Sequence, residues 1–248
     1  MILRKLTQGS LKMTWASVKP GLIPSLDVSL NQLQFLLSDI DDIRIQNNNP
    51  IYALKIGALL ELEGLKKVIK EIREYSQLPI IIDHQKLADI PSIIQKFVEK
   101  IATCEANGVI LLGYVGPTSI TTFIESCKNY GLANYIVAEM SHKGASEYIK
   151  DDTPIKIAKL ARDLNATGIV CPATKTDSIQ KCAEILKGSK LGIMSPGHGP
   201  QGGGADSAIM AGADWIVIGR SFYTADSPKQ TLINLGQLII NQWTKKNP

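Results

Sequence analysis

The stretch Ile80-Ile81-Ile82-Asp83-His84-Gln85-Lys86-Leu87-Ala88-Asp89-Ile90 carries an apolar run directly into charge. Three consecutive isoleucines suit a short strand covered on both faces, because β-branched side chains pack well on a pleated, buried surface. Two acids and a lysine follow without a spacer. Charges at the end of a buried strand are costly unless they pair with one another or take part in chemistry. The pattern predicts a parallel strand that ends at a polar, functional rim.

The same arrangement recurs along the chain. Candidate strands are Gly21–Asp27, Tyr52–Ile56, Pro79–Asp83, Gly108–Leu112, Tyr135–Glu139, Gly168–Cys171, Leu191–Ser195 and Trp215–Gly219. Helical patterns lie between them: Leu60–Tyr75, with Leu62, Leu65, Val68, Ile69 and Ile72 on one face, then Ile90–Glu105, Thr118–Lys128, Pro154–Leu164 and Asp177–Leu186, with Pro228–Trp243 as a last helix. These are eight strand-then-helix units, each of roughly thirty residues. A chain of 248 residues is the size of one α/β domain with the (β/α)8 TIM-barrel fold. No Ser/Gly-rich linker divides it, and Asn47-Asn48-Asn49-Pro50 reads as a loop between the first helix and the second strand. Residues 1–20 are expected to be an N-terminal extension packing on this single barrel domain.

Composition narrows the function classes. Hydrophobic residues make up 44% and charged residues 20%, which fits a soluble globular protein. No apolar run reaches bilayer-spanning length, and the first residues lack the apolar stretch and cleavage site of a signal peptide. The net charge of +4 is dispersed, so no nucleic-acid partner is expected, while a small anionic substrate is compatible. Cys104, Cys127, Cys171 and Cys182 form no C-x-x-C pair and lack histidines at zinc spacing, which points to reduced thiols in a cytoplasmic protein. His84, His142 and His198 fall after three different strands, and no metal is expected.

In a (β/α)8 barrel the active site lies at the C-terminal ends of the strands. Asp27, Lys55, Asp83, Lys86, Asp89, Glu139, Ser141, His142, the glycine-rich run Ser195–Gly204 and Gly219-Arg220 all fall at that rim. Glycines let backbone N–H groups approach an anion, and Arg220 can clamp a phosphate bidentately. The loops after strands seven and eight commonly form the phosphate site of this architecture. Lys55, Asp83, Lys86 and Asp89 can alternate so that opposite neighbours keep each one charged. Ser141 can donate and accept hydrogen bonds, which suits a planar amide-like edge.

Ser25-Leu-Asp27, Leu54-Lys-Ile-Gly57, Lys86-Leu-Ala-Asp-Ile-Pro91, Glu139-Met-Ser-His142, Ser195-Pro-Gly-His-Gly-Pro-Gln-Gly-Gly203 and Ile218-Gly-Arg-Ser-Phe-Tyr223 together resemble the orotidine 5′-phosphate decarboxylases. The resemblance extends from about Gly21 to about Pro228. It implies cofactor-free loss of CO2 from C6 of the pyrimidine, with Lys86 stabilising and protonating the carbanion. It implies that Lys55 and Asp83 join Lys86 in the charge array, and that Asp89 is supplied to the partner's site across a homodimer interface. Asp27 and Lys55 would hold ribose hydroxyls, Ser141 would read the base edge, and Pro196 would line the base pocket. Gln201, Gly202, Gly219 and Arg220 would hold the phosphate.

Two positions depart from the family's pattern. Its usual spacing is Asp-x-Lys-x-x-Asp, whereas Asp83 stands three residues before Lys86 and His84 occupies the expected acid position. Either a β-bulge returns Asp83 to the site or His84 replaces the acid. Where the family often carries a threonine that touches the partner's ribose, this chain has Ile93, and Ser92 is the alternative contact. Two other readings share some of these features. One is a metal-dependent ketose-phosphate decarboxylase or aldolase of the same superfamily, against which Glu139-Met-Ser-His142 and Gln201 weigh. The other is a phosphate-binding barrel without catalysis.

Overall fold

The computed structural model describes residues 19–46, 50–84 and 86–247. The expected N-terminal extension therefore lies outside the described residues, except for Lys19 and Pro20. Eight parallel strands close in chain order into a barrel: β1 (Gly21–Leu26), β2 (Leu54–Gly57), β3 (Ile80–Asp83), β4 (Gly108–Leu112), β5 (Ala133–Val137), β6 (Gly168–Val170), β7 (Gly192–Ser195) and β8 (Trp215–Ile218). The seam is the β1/β8 ladder, with Gly21 opposite Trp215 and Pro24 opposite Ile218. The helices are α1 (Leu30–Gln46), α2 (Ala58–Glu61), α3 (Leu65–Tyr75), α4 (Pro91–Ala102), α5 (Pro117–Asn129), α6 (Ala145–Tyr148), α7 (Thr153–Asp163), α8 (Thr176–Leu186), α9 (Ala205–Ala211), α10 (Arg220–Tyr223) and α11 (Pro228–Lys246).

The two-residue period of a strand divides the core into two layers. Ile80 and Ile82 point outwards into the layer between strands and helices. Ile81 points into the barrel with Ile23, Ile110, Val137, Val170 and Val217. This is why the isoleucine run does not alternate with polar residues: both of its faces are covered. Deep in the barrel the filling is aromatic. Trp215 stacks on Tyr52 at 4.9 Å and meets the edge of Tyr135 at 6.0 Å. Glycine at 192 makes room for that indole, since a Cβ there would lie 2.2 Å from the Trp215 ring.

Several boundaries differ from the sequence reading. The expected helix Leu60–Tyr75 is two helices, α2 and α3, parted where Gly64 adopts φ +97°. Leu62, placed on the buried face by periodicity, falls in this break and is 82% exposed. Val68, Ile69 and Ile72 of α3 are buried. β5 starts at Ala133 and stops before Glu139, which leaves the Glu139–His142 segment free to turn over the barrel mouth. Lys55 lies inside β2 rather than at its end. The short helices α6, α9 and α10 were not anticipated.

Candidate active site

Lys55 is the register partner of Ile81 and so points into the barrel. Asp83 shares that parity two residues later. The result is a buried ion pair, with Lys55 Nζ donating to Asp83 Oδ2 at 2.8 Å. Lys86 Nζ stands 3.6 Å from the same Asp83 oxygen, and Lys55 Nζ is 3.9 Å from Asp27 Oδ2. Asp27, just past the end of β1, also accepts a 2.6 Å hydrogen bond from the Ser25 hydroxyl. Gly57 is required here, because a Cβ at that position would overlap the Asp27 carboxylate at 1.6 Å.

The electrostatics follow from this geometry. Burial alone would lower the Lys55 pKa, but Asp83 and Asp27 more than offset it and hold it above the ordinary lysine value. Burial alone would raise the Asp83 carboxyl, but Lys55 and Lys86 hold it below the usual range. The second Asp83 oxygen, Oδ1, is buried and has no hydrogen-bond partner.

The odd spacing between Asp83 and Lys86 is absorbed in the turn after β3. Asn107 N–H donates to Ile80 O, and Leu112 N–H donates to Lys86 O. The β3 side therefore spans one residue more than the β4 side between the same two hydrogen bonds, which is the pattern of a bulge. Lys86 adopts φ +57°, and Leu87 N–H closes the turn onto His84 O at 2.7 Å. The extra residue returns Lys86 to the side of Asp83. His84 turns away from the mouth, hydrogen bonds Glu61 Oε2 through Nδ1, and packs on Phe97 with ring centroids 4.2 Å apart. The acid beside the lysines is Asp83, and His84 does not replace it.

The opposite wall comes from the loops after β5, β7 and β8. Ser141, Pro196, Gln201, Gly219 and Arg220 line the same cavity as Asp27, Lys55, Asp83 and Lys86. The glycine-rich loop folds on itself: Gly202 N–H donates to Gly199 O, Gly203 N–H to Gly197 O and Gly199 N–H to Gly203 O. Three of the loop's amides are thus engaged within the loop, and Gly197, His198, Pro200 and Gln201 line the cavity beside Gly219 and Arg220. Gly203 cannot carry a Cβ, which would lie 2.6 Å from Gly197 O. Ser141 O accepts a 3.4 Å hydrogen bond from Thr174. Glu139 pairs with Lys175 at 2.5 Å.

Gly202, Asp89 and Ser92 do not line this cavity. Asp89 and Ser92 are exposed at the start of α4. Sequence reasoning missed Tyr223, Met140 and Pro200, which also face the cavity. Tyr223 lay inside a matched motif, and its position three residues after Arg220, one turn along α10, was the available signal. Burial, with the Asp27 charge nearby, raises its phenol above the ordinary tyrosine value. Among the described residues no group of three His, Cys, Asp or Glu side chains is placed to hold a metal ion. No described helix is long and apolar enough to cross a membrane.

A closed parallel barrel whose mouth joins a Lys–Asp–Lys array to a glycine-rich loop and an arginine defines a barrel enzyme for a small anionic substrate. The comparisons with known proteins are more specific. The model of the orotidine 5′-phosphate decarboxylase / HUMPS family matches residues 20–234. The orotidine 5′-phosphate decarboxylase of Methanococcoides burtonii is 38% identical over 86% of this chain and 94% of its own length. That of Methanosarcina mazei is 37% identical over 75% of this chain and 83% of its own. The crystal structure of orotidine 5′-monophosphate decarboxylase from Methanocaldococcus jannaschii complexed with inhibitor BMP superposes with a TM-score of 0.78. It is 28% identical, covering 89% of this chain and 99% of that one. The chain belongs to the orotidine 5′-phosphate decarboxylase / HUMPS family, and it is a decarboxylase.

Proposed function

We propose that Lys86 is the acid in the reaction this chain carries out, the cofactor-free decarboxylation of orotidine 5′-phosphate to uridine 5′-phosphate, the last step of de novo pyrimidine synthesis. The observation that carries this reading is the Lys55–Asp83–Lys86 array, with contacts of 2.8 and 3.6 Å, facing Gln201 and Arg220 across one cavity. Loss of CO2 from C6 leaves an electron pair in the plane of the ring, where the π system cannot delocalise it. A fixed ammonium beside C6 stabilises that charge as it develops. Lys86 then delivers a proton to the carbon. Asp83 near the departing carboxylate disfavours the ground state and helps hold Lys55 charged.

The other residues bind and orient. Arg220 and Gln201 hold the phosphate, together with the Gly219 backbone. Asp27 and Lys55 take the ribose hydroxyls, with the Ser25 hydroxyl fixing one Asp27 oxygen. Ser141 reads the base edge and Pro196 covers the ring. Phosphate binding is remote from the bond that breaks, so its binding energy serves to order the Ser195–Gly204 loop over the site.

The enzyme works as a homodimer in this reading, and Asp89 serves the partner's site. Asp89 is exposed and does not line its own cavity, and its neighbours Ile90 and Ile93 are 61% and 42% exposed. Leu59 and Leu62, at 66% and 82% exposed, are further apolar side chains that such a partner would have to cover. The chain forms a single barrel domain and acts in the cytoplasm.

The test is loss of orotidine 5′-phosphate absorbance in the presence of EDTA. Wild type should turn over, and Lys86→Ala should lose activity by at least about 10⁴-fold while still binding uridine 5′-phosphate. Metal-dependent turnover of a sugar phosphate instead, or equal inactivity of both proteins, would refute the reading.

A further inference from the structure

The turn after β3 holds a second set of contacts, outside the cavity. The one-residue insertion leaves Lys86 at φ +57°, a conformation that a non-glycine residue keeps only when its surroundings hold it there. Three hydrogen bonds act on the turn's backbone: Leu87 N–H to His84 O at 2.7 Å, and Leu112 N–H shared between Lys86 O at 2.6 Å and Leu87 O at 3.0 Å. The residue at the start of the turn is His84, and its side chain is fixed from two directions. Nδ1 hydrogen bonds Glu61 Oε2, and the ring lies against Phe97 of α4.

Glu61 is an unusual anchor. Its side chain is only 8% exposed, and its other oxygen, Oε1, is buried without a hydrogen-bond partner. Burying a carboxylate for a single histidine contact is costly, and an ordinary surface turn would not need it. Glu61 ends α2, the short helix that follows β2 directly. β2 carries Lys55, and the turn clamped by His84 carries Lys86. The Glu61–His84 contact therefore ties the segment after β2, the strand that carries Lys55, to the turn after β3 that carries Lys86.

We propose that His84, held by Glu61 and Phe97, is a positioning residue for Lys86: it fixes the inserted turn so that the ammonium stays beside Asp83 and the reacting carbon. His84 does not line the cavity, and its hold on Lys86 runs through the backbone of the turn. The inference rests on the proposed role of Lys86, and the two can fail separately.

The experiment compares kcat and KM for orotidine 5′-phosphate in wild type, His84→Ala, His84→Asn, Glu61→Ala and Glu61→Gln. A displacement of about 1 Å at a catalytic group lowers a rate by up to roughly 100-fold. His84→Ala and Glu61→Ala should therefore lower kcat by about 10- to 100-fold, with KM and uridine 5′-phosphate affinity within about twofold of wild type. Asparagine places an amide N–H near the position of Nδ1 and glutamine keeps an acceptor oxygen, so His84→Asn and Glu61→Gln should recover most of the loss. The double variant His84→Ala/Glu61→Ala should be no slower than either single variant, because both remove the same contact. Unchanged kcat in His84→Ala would overturn the proposal. So would a loss seen in KM alone, failure of both conservative variants to recover kcat, or multiplicative losses in the double variant. If the alanine variants do not fold, the conservative variants decide: a drop in kcat as deep as 100-fold in folded His84→Asn counts against it. An inactive wild type would instead refute the decarboxylase reading.

Discussion

Asp83 and Asp214 are both buried to 8% exposure, at opposite ends of the same barrel, and their carboxyls shift in opposite directions. Asp83, at the mouth, faces two lysines, and its pKa falls although burial opposes the change. Asp214, just before β8, has Lys19 at 3.0 Å and the Ile193 N–H at 2.7 Å. Burial dominates there, and its pKa rises. The surroundings differ in kind as well. The floor of the barrel is closed by Trp215, stacked on Tyr52 and meeting the edge of Tyr135, whereas the mouth leaves charges around an open cavity. Burial alone does not decide what a carboxylate does. The number and placement of the cations beside it decide whether it remains an anion ready for use or a group that folding must accommodate.

Substitutions at the two ends should separate these roles. The largest effect is expected for Lys86→Ala, which should abolish turnover by at least about 10⁴-fold while leaving thermal stability close to wild type. Trp215→Ala should do the reverse. It should cost about 3–5 kcal/mol of unfolding free energy, measured by denaturant titration, with kcat per folded molecule little changed. A large fall in kcat there would mean that the floor and the mouth are coupled.

Asp83→Asn removes the shared partner of two lysines and should cost about 3 kcal/mol at neutral pH. The pH dependence has a defined sign. The Asp83 pKa is lowered on folding, so its contribution is present above the unfolded value of about 3.9 and disappears as pH falls through the folded value. Lys55 is raised on folding, so its contribution is present below about 10.4 and disappears as pH rises through the folded value. Acid unfolding followed by circular dichroism should therefore be flatter in Asp83→Asn than in wild type.

Arg220→Ala should raise KM about 10- to 100-fold, the equivalent of a charged hydrogen bond to phosphate. The smallest effect is expected for Asp214→Asn. The raised Asp214 pKa means that the carboxylate opposes folding above its folded value and the penalty fades as pH falls. The variant should match or exceed wild-type stability at neutral pH, by up to about 1 kcal/mol, and lose that advantage in acid. A marked loss at neutral pH would show that the Lys19 ion pair outweighs desolvation.

Much of the fold was legible because the barrel repeats one physical pattern. β-branched strands covered on both faces, alternating with amphipathic helices, marked all eight strands, and the polar residues at their ends marked the mouth. Local chain reversals were not legible. Periodicity ran through Gly64 and carried Leu62 to the wrong face, because a positive φ at one glycine is invisible to a pattern that counts only apolar spacing. Helix α9 follows a run of glycines and is too short to show a period. In the site, the motifs located the array, the loop and Arg220. Tyr223 escaped although its spacing from Arg220 offered a signal, and Glu61 escaped because nothing in its own sequence neighbourhood distinguishes an inward-facing acid from an exposed one. The alternation rule left Asp83 and His84 both open as the acid beside Lys86, and only the hydrogen bonds between β3 and β4 separate them.

The inserted residue between Asp83 and Lys86 has a consequence for how such sites vary among proteins. Strand ladders transmit a length change along their whole register, but a rim turn held by one side-chain clamp contains it within a few residues. The distance between charged groups in space is thereby uncoupled from their distance in sequence. A search that demands a fixed number of residues between the acid and the lysine would pass over chains that keep the same constellation, and a search for an acid and a lysine converging on one strand end would recover them.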